Sequence, residues 1–388
     1  MKTLPFEYAV RNLGRSPTRL FASVLGSALV VLLVLSAGGF VRGMEQSLSL
    51  SASPDNVILL GAGSEESIER SQIGMNVPTL AAASIPGIRR QLGIDYVSPE
   101  VNMALIITTS PDDPVERQAV LRGITPTAFL VHPQVRLVEG RLARQGNYEL
   151  MVGQLAATRL GLPRERLAVG RTLWFDNHEW TITGHLAAPQ TVMDAEIWVP
   201  LTDLQVATRR DTLSSTVIRL DQATIADVAA WCAQRLDLEL VAIPEAEYYA
   251  GLTRFYGPVR AMVWITAILI AIGGLLGGLN TMYAAFVSRV RELGALQTLG
   301  FSRSALVVSF LQESLLATSA GGLAAAFAAV LLLDGVAVRF SMGAFALSID
   351  TPVILGGLSA GIIVAVAGIL PPLWRCLRLP IVEALRTS

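Results

Sequence analysis

Residues 261–288 read AMVWITAILIAIGGLLGGLNTMYAAFVS, 28 consecutive positions without a charged side chain. About 20 apolar residues suffice to cross a hydrocarbon core of roughly 30 Å, so this stretch predicts a transmembrane helix. Residues 20–41, 304–333 and 351–374 have the same character. The four windows hold 104 residues and one charge, Glu313. The remaining 284 residues of the 388-residue chain carry 60 charges, about 21%, near the roughly 25% of an ordinary soluble protein. The chain therefore joins a membrane part to a near-ordinary soluble part. Its 52% hydrophobic content excludes a disordered or collagen-like chain.

Basic residues near span ends set the expected orientation. Lys2, Arg11, Arg15 and Arg19 precede the first span, Arg289, Arg291 and Arg303 separate the second from the third, and Arg375, Arg378 and Arg386 follow the fourth. The 334–350 loop holds Arg339 alone, beside Asp334 and Asp350. Both termini and residues 289–303 are then expected in the cytoplasm, and residues 42–260 outside. The first span exceeds the roughly 7–15 residues of a signal-peptide core, which favours an uncleaved anchor although Ser36-Ala37-Gly38 mimics a cleavage site. Glu313 would cost about 2.5–3.5 kcal/mol at mid-membrane. Ser314 to Leu333 supplies 20 uncharged residues, so the membrane part of the third span is placed at about 314–333, with Glu313 at the cytoplasmic interface.

Small residues mark where spans can approach closely. Gly273, Gly274, Gly277 and Gly278 form two overlapping GxxxG pairs and make the second span the first candidate for a helix or subunit interface; Gly357 and Gly361 form a third pair. Residues 43–260 are long enough for one or two domains and predict mixed short strands and helices. Residues 171–175 and 179–184, around Asp176-Asn177-His178, predict a hairpin. Ala223 to Leu236, with Ile225, Val228, Ala229 and Cys232 at helical spacing, predicts a helix, and residues 61–80 a flexible loop.

Several chemistries are excluded. The only lysine is Lys2, so the GxxxxGK[ST] phosphate loop is missing. The net charge of −1 and scattered arginines give no nucleic-acid footprint. His132, His178 and His185 lack metal-ligand spacing and are expected to be structural or exposed. Gly357-Leu358-Ser359-Ala360-Gly361 matches GxSxG but lies inside a span, where no strand-to-helix elbow exists. Cys232 and Cys376 fall on opposite sides of the membrane, so no disulfide within the chain, no metal and no cofactor are expected.

Three segments carry a family resemblance. Asn280 followed by Ser288-Arg289-Val290-Arg291-Glu292-Leu293-Gly294-Ala295-Leu296-Gln297-Thr298-Leu299-Gly300-Phe301 resembles the N…ER.REIG.LRALGA signature of permeases of the MacB, LolC/LolE and FtsX-like superfamily of ABC transporters. Pro372 with Pro380-Ile381-Val382-Glu383-Ala384-Leu385-Arg386 is similar to the closing P…P.EALR motif, and Ala9 to Arg19 to the opening A.RNL.R.P.R segment. Val138-Glu139-Gly140-Arg141, Leu150-Met151-Val152-Gly153, Val169-Gly170-Arg171, Ile182-Thr183-Gly184 and Trp198-Val199-Pro200 follow the order of the MacB-like periplasmic core domain. Ser288, Gln297-Thr298 and Leu379 depart from the usual residues.

The resemblance implies an α-helical membrane domain of four transmembrane helices, with a large mixed α+β extracytoplasmic domain inserted between the first and second. It implies an inner-membrane permease, catalytically inactive itself, that works with a separate ATPase carrying ATP and Mg. It further implies a homodimer, membrane lipid contacts and a periplasmic adaptor of the membrane-fusion type. Residues 289–303 would be the coupling helix, with Arg289, Arg291 and Glu292 making charged contacts and Leu293, Leu296, Leu299 and Gly300 completing the docking surface. Residues 1–19 would form an amphipathic cytoplasmic segment with Phe6, Val10 and Leu13 on one face, and 375–388 a cytoplasmic tail. Mechanotransmission for export, LolC/LolE-like lipoprotein extraction and FtsX-like signalling to an external enzyme all remain open.

Overall fold

The computed structural model describes residues 6–340 and 343–378, with side chains as far as Trp374. Lys2 and the Pro380–Arg386 motif lie outside the described residues. The helices are α1 (Phe6–Gly14), α2 (Pro17–Ser51), α3 (Val77–Ser84), α4 (Ala128–Val131), α5 (Ala156–Leu160), α6 (Leu201–Thr208), α7 (Ile225–Gln234), α8 (Glu245–Phe255), α9 (Gly257–Val287), α10 (Val290–Thr298), α11 (Arg303–Leu332) and α12 (Thr351–Arg378). The chain divides into two compact units: a helical unit of residues up to Arg42, Pro258–Val336 and Leu347 onward, and an inserted domain of Gly43–Gly257 with Ala337–Ala346.

Four helices, α2, α9, α11 and α12, are long and apolar enough to cross a membrane. Small residues let three of them pack closely. Ala325, Ala326 and Ala329 of α11 are buried with Val31 and Leu35 of α2, and a Cβ on Gly357 or Gly361 of α12 would collide with Leu35 or Val31. The third glycine pair is thus consumed by packing within the chain. The GxSxG string sits on α12 as a packing surface, because its glycines face α2 and it lies inside a helix rather than at a strand-to-helix turn.

The strands are β1 (Asn56–Gly61), β2 (Arg90–Gln91), β3 (Ile94–Asp95), β4 (Val97–Ile107), β5 (Arg117–Ile124), β6 (Arg136–Gly140), β7 (Glu149–Gly153), β8 (Thr172–Phe175), β9 (His178–Ala187), β10 (Ile197–Pro200), β11 (Ser215–Arg219), β12 (Leu240–Pro244), β13 (Ala337–Phe340) and β14 (Gly343–Ala346). Ten of them build one mixed sheet, ordered β12-β1-β11-β4-β5-β10-β7-β9-β6 with β8 on β9. The β5–β10 and β7–β9 pairs are parallel. The predicted hairpin is β8–β9: Asp176 and Asn177 have φ of 48° and 59°, the doubly left-handed turn that matches strand twist. Its alternation buries Leu173, Phe175, Trp180 and Ile182 in the main core. The predicted helix is α7, opened by a capping box in which Thr224 and Asp227 satisfy each other's backbone N–H, and held by buried Val228, Trp231 and Cys232.

Two expectations change. Residues 61–80 are not a free loop: Ile68, Ser71 and Ile73 are buried, the Gly61 N–H donates to Ser71 Oγ at 2.9 Å, and α3 begins at Val77. Polar composition concealed these anchors because each is a single side chain between Gly, Ser and Glu. The 334–350 segment contains the β13–β14 hairpin, and its strands belong to the inserted domain.

Candidate functional site

Helix α10 is nine residues long and is joined to α9 by Ser288 and Arg289 and to α11 by Leu299 to Ser302. Its amphipathic spacing divides it. Leu293 is buried with Phe286, Leu306, Phe310, Ile369 and Leu373, and Val290 and Leu296 pack against the same cluster. Arg291, Glu292, Ala295, Thr298 and Leu299 are exposed, with Arg291, Ala295 and Leu299 at i, i+4 and i+8 on one face. Leu299 leaves 67% of its surface uncovered.

Both ends of α10 are fixed by local chemistry. At the C-terminus, Gly300 N–H donates to Gln297 O at 3.1 Å and Phe301 N–H to Leu296 O at 3.2 Å, a Schellman closure that requires the left-handed φ of +88° at Gly300. Ser302 then caps α11, its side chain accepting from Ala305 N–H. A Cβ on Gly300 would meet nothing within 4 Å, so backbone conformation alone demands glycine. Gly300→Ala is expected to destabilise the protein by about 1 kcal/mol, lowering the unfolding midpoint by roughly 3 °C, with Gly300→Asn intermediate. A neutral Gly300→Ala in thermal unfolding of the full chain would mean that this closure does not hold the helix.

At the N-terminus, Arg289 turns inward. Its Nη1 and Nη2 donate to Glu313 at 3.0 and 3.4 Å. Arg19 Nη2 donates to the same carboxylate at 2.5 Å and Asn12 Nδ2 at 3.4 Å. Glu313 is only 3% exposed. It therefore ties together α1, α2, the start of α10 and α11. The sequence reading missed this cluster: two guanidinium groups stand around Glu313 in place of water, and the Arg289 side chain is turned toward it rather than out to the exposed face of α10. Leu293 and half-buried Leu296 likewise belong to the anchoring face, because helical periodicity points them toward α9, α11 and α12 rather than outward. Of the seven coupling residues named from sequence, Arg291 and Glu292 are exposed on the helix and Leu299 at its C-cap, while exposed Gly300 shapes its end. Glu292 also lies 3.9 Å from Arg15, an exposed and weak pair.

The four glycines of α9 do not act alike. A Cβ on Gly274 would strike Val30 of α2, whereas Gly273, Gly277 and Gly278 meet nothing within 4 Å. All four line an open cleft of about 450 Å³ between α2, α9, α11 and α12.

The inserted domain holds a second polar assembly that no sequence spacing announced. Arg122 donates through Nε and Nη2 to Glu196 at 2.7 and 2.8 Å and through Nη1 to Glu100 at 2.5 Å. His132 Nε2 lies 2.8 Å from Glu100, and Trp198 Nε1 donates to Glu196 at 2.9 Å. Glu245 accepts from Ser53 N–H at 2.8 Å and Asn56 Nδ2 at 2.9 Å, and lies 3.7 Å from His132 Nδ1. Burial opposes the Glu100 charge, but the charges and hydrogen bonds of His132 and Arg122 hold its pKa at about 2. Burial likewise opposes charge on His132, yet Glu100 and Glu245 raise it above the usual histidine value. His132 is thus structural. His178 stacks on Tyr148, and His185 lies 2.9 Å from Glu139; among the described residues no acidic, histidine or cysteine cluster could hold a metal. Burial raises the Cys232 thiol to about 11, which removes it as a nucleophile.

Four apolar helices, with a mixed α/β domain inserted between the first and second, are the make-up of a multi-pass membrane protein. A MacB-like periplasmic core domain matches residues 20–234, and an FtsX-like permease C-terminal domain matches residues 264–381. The chain belongs to the MacB/FtsX-like family of ABC transporter permeases, which are not themselves catalytic. The uncharacterized ABC transporter permease YknZ of Bacillus subtilis (strain 168) is 21% identical to it, over 96% of this chain and 95% of that protein. The pyoverdine export ATP-binding/permease protein PvdT of Pseudomonas syringae pv. syringae (strain B728a) is 36% identical over 105 residues, 25% of this chain and 16% of that protein. The periplasmic region of MacB from Actinobacillus actinomycetemcomitans is similar at a TM-score of 0.39 and 11% identity, covering 52% of this chain and 94% of that one.

Proposed function

We propose that this protein is the permease subunit of a mechanotransmission-type ABC transporter, driven by an ATPase outside these 388 residues and exporting a substrate through motion of its inserted domain. The observation that carries the reading is α10. One face is anchored to α9, α11 and α12, and the other presents Arg291, Glu292 and Leu299. Such a helix transmits a push because it cannot slide independently of the spans. With no phosphate loop, the chain needs ATP and Mg to be handled by the partner. The membrane is the bacterial inner membrane, both termini are cytoplasmic, and the inserted domain is periplasmic, as the arginine distribution favours. A second permease copy packs along Gly273, Gly277 and Gly278 of α9, and an adaptor of the membrane-fusion type binds the inserted domain.

The test is affinity purification of the native complex from its own membrane. An ATPase subunit is expected to co-purify, and Arg291→Glu combined with Leu299→Asp is expected to reduce its recovery at least tenfold without changing helical content. Leu296→Asp would confound docking with packing. Recovery of no ATPase, or full recovery with the double variant, would remove the coupling role. A co-purified adaptor supports export, whereas a bound lipoprotein or a cell-wall hydrolase would replace export with extraction or signalling.

A further inference from the structure

An open groove of about 590 Å³ on the inserted domain lies between the 109–117 segment and the end of α5. The carboxylate on its wall, Asp113, is already answered. Arg117 Nη1 donates to it at 2.8 Å, Thr109 Oγ1 at 2.7 Å and the Val115 N–H at 3.0 Å.

The other cations around the groove have no such partner. Arg166 lines it and is exposed, and its side chain makes no hydrogen bond or ion pair among the described residues. Arg339 of β13 is likewise exposed and unpaired among them. Its guanidinium lies against Gly161, which is part of the groove wall: a Cβ on Gly161 would collide with it, and Gly161 caps α5 with a left-handed φ of 66°. Glycine there is required twice, by the backbone turn and by the arginine laid over it. Half-buried Arg159, two residues earlier, adds a third positive charge. Burial, and after it the charge of Arg339, lower the Arg159 guanidinium from its ordinary value. Its Nε and Nη2 are enclosed and offer no contact to a ligand, but their charge acts through space. Two guanidinium groups that repel each other, with no carboxylate paired to either among the described residues, form an arrangement that an anion would relieve.

The rest of the wall narrows the chemistry of that anion. A guanidinium fork matches the oxygens of a phosphate bidentately. Exposed Ser110 adds a hydroxyl, and Leu162 and Pro163 form an apolar strip that suits an organic substituent.

We propose that this groove binds a phosphate group, with Arg339 and Arg166 donating to its oxygens and Arg159 strengthening the positive field, the source being a phospholipid headgroup or free phosphate. The site lies wholly within the inserted domain, so its test stands apart from the coupling reading.

The experiment is phosphorus NMR with the full-length protein in a phosphate-free maltoside detergent at low salt. The two probes are inorganic phosphate and glycerophosphoglycerol, the water-soluble headgroup of phosphatidylglycerol. Saturable line broadening is expected with the native chain. Arg339→Gln and Arg166→Gln are each expected to weaken binding about tenfold, the value of one hydrogen bond between charged groups. Arg136→Gln, which removes an exposed arginine of β6 outside the groove, is expected to leave binding unchanged. Arg339→Gln is also expected to hold or raise the thermal unfolding midpoint, because it removes the repulsion on Arg159; an arginine with a merely structural role would lower it. Tighter binding of glycerophosphoglycerol supports a lipid headgroup as the source, and tighter binding of inorganic phosphate supports the free anion. The proposal is overturned by the absence of saturable broadening with both probes, by full binding in the Arg339 and Arg166 variants, by equal weakening in Arg136→Gln, or by an Arg339→Gln midpoint more than about 3 °C below the native value.

Discussion

Glu313→Gln is expected to destabilise the helical unit by about 3–5 kcal/mol, the usual effect of removing one partner from a buried ion pair. The amide keeps the shape but leaves Arg19 and Arg289 facing a neutral group, with Asn12 supplying no charge. A buried guanidinium, Arg289, and a half-buried one, Arg19, without an anion must draw in water or swing out, and either movement loosens α1, α2 and the root of α10. Thermal unfolding of the purified chain should fall on the order of 10 °C. The combination Arg19→Met, Arg289→Met and Glu313→Leu should recover most of that loss, because replacing a whole buried ionic group by packed apolar side chains is often neutral or stabilising. A Glu313→Gln midpoint within 2 °C of the native value would show that the carboxylate is solvated and that the cluster does not hold α10. The contrast with Arg291→Glu and Leu299→Asp is informative: those exposed substitutions should remove partner binding and leave the midpoint in place.

The parts legible in the sequence were those with local periodicity. Uncharged windows reported the long helices, the aromatic and β-branched runs around Asp176-Asn177 reported β8–β9, and the spacing of Val228 and Cys232 reported α7. The sites themselves depend on distant residues. Asn12 and Arg19 meet Glu313 across 301 and 294 positions, and Arg122 meets Glu196 across 74, so no window holds both partners. Arg289 illustrates the limit. Beside Arg291 and Glu292 it looks like another surface charge of an inside-positive loop, and only the return of α11 shows that it is turned inward. One signal was available: a lone acid in 104 nearly uncharged residues, flanked in chain order by arginines at span ends, is an acid in need of partners.

Arg122→Met gives the second large effect, and its pH dependence identifies the cause. In the native domain Glu100 has a pKa of about 2, below the ordinary carboxylate value of 4.5, so its contribution is present above pH 4.5 and is lost as pH falls toward 2. His132 is raised, so its contribution is full below its unfolded value of 6.5 and declines as pH rises through its folded value. Removing Arg122 leaves Glu100 and Glu196 buried beside each other, with His132 the only counter-charge in contact with Glu100 among the described residues. Burial then raises the Glu100 carboxyl pKa in the folded state, so the variant is favoured below about pH 4.5 and penalised as pH rises through the raised value. The expected loss is about 3–5 kcal/mol at pH 7, shrinking to less than half at pH 4.5. Denaturant unfolding followed by tryptophan emission measures it, since Trp198 donates to Glu196 and faces Arg122 at 5.8 Å. Equal losses at the two pH values would assign the effect to the missing guanidinium volume and its contact with Trp198. A loss that grows with pH would assign it to the under-compensated Glu100 carboxylate, and would make Arg122 the charge that allows this sheet to bury it.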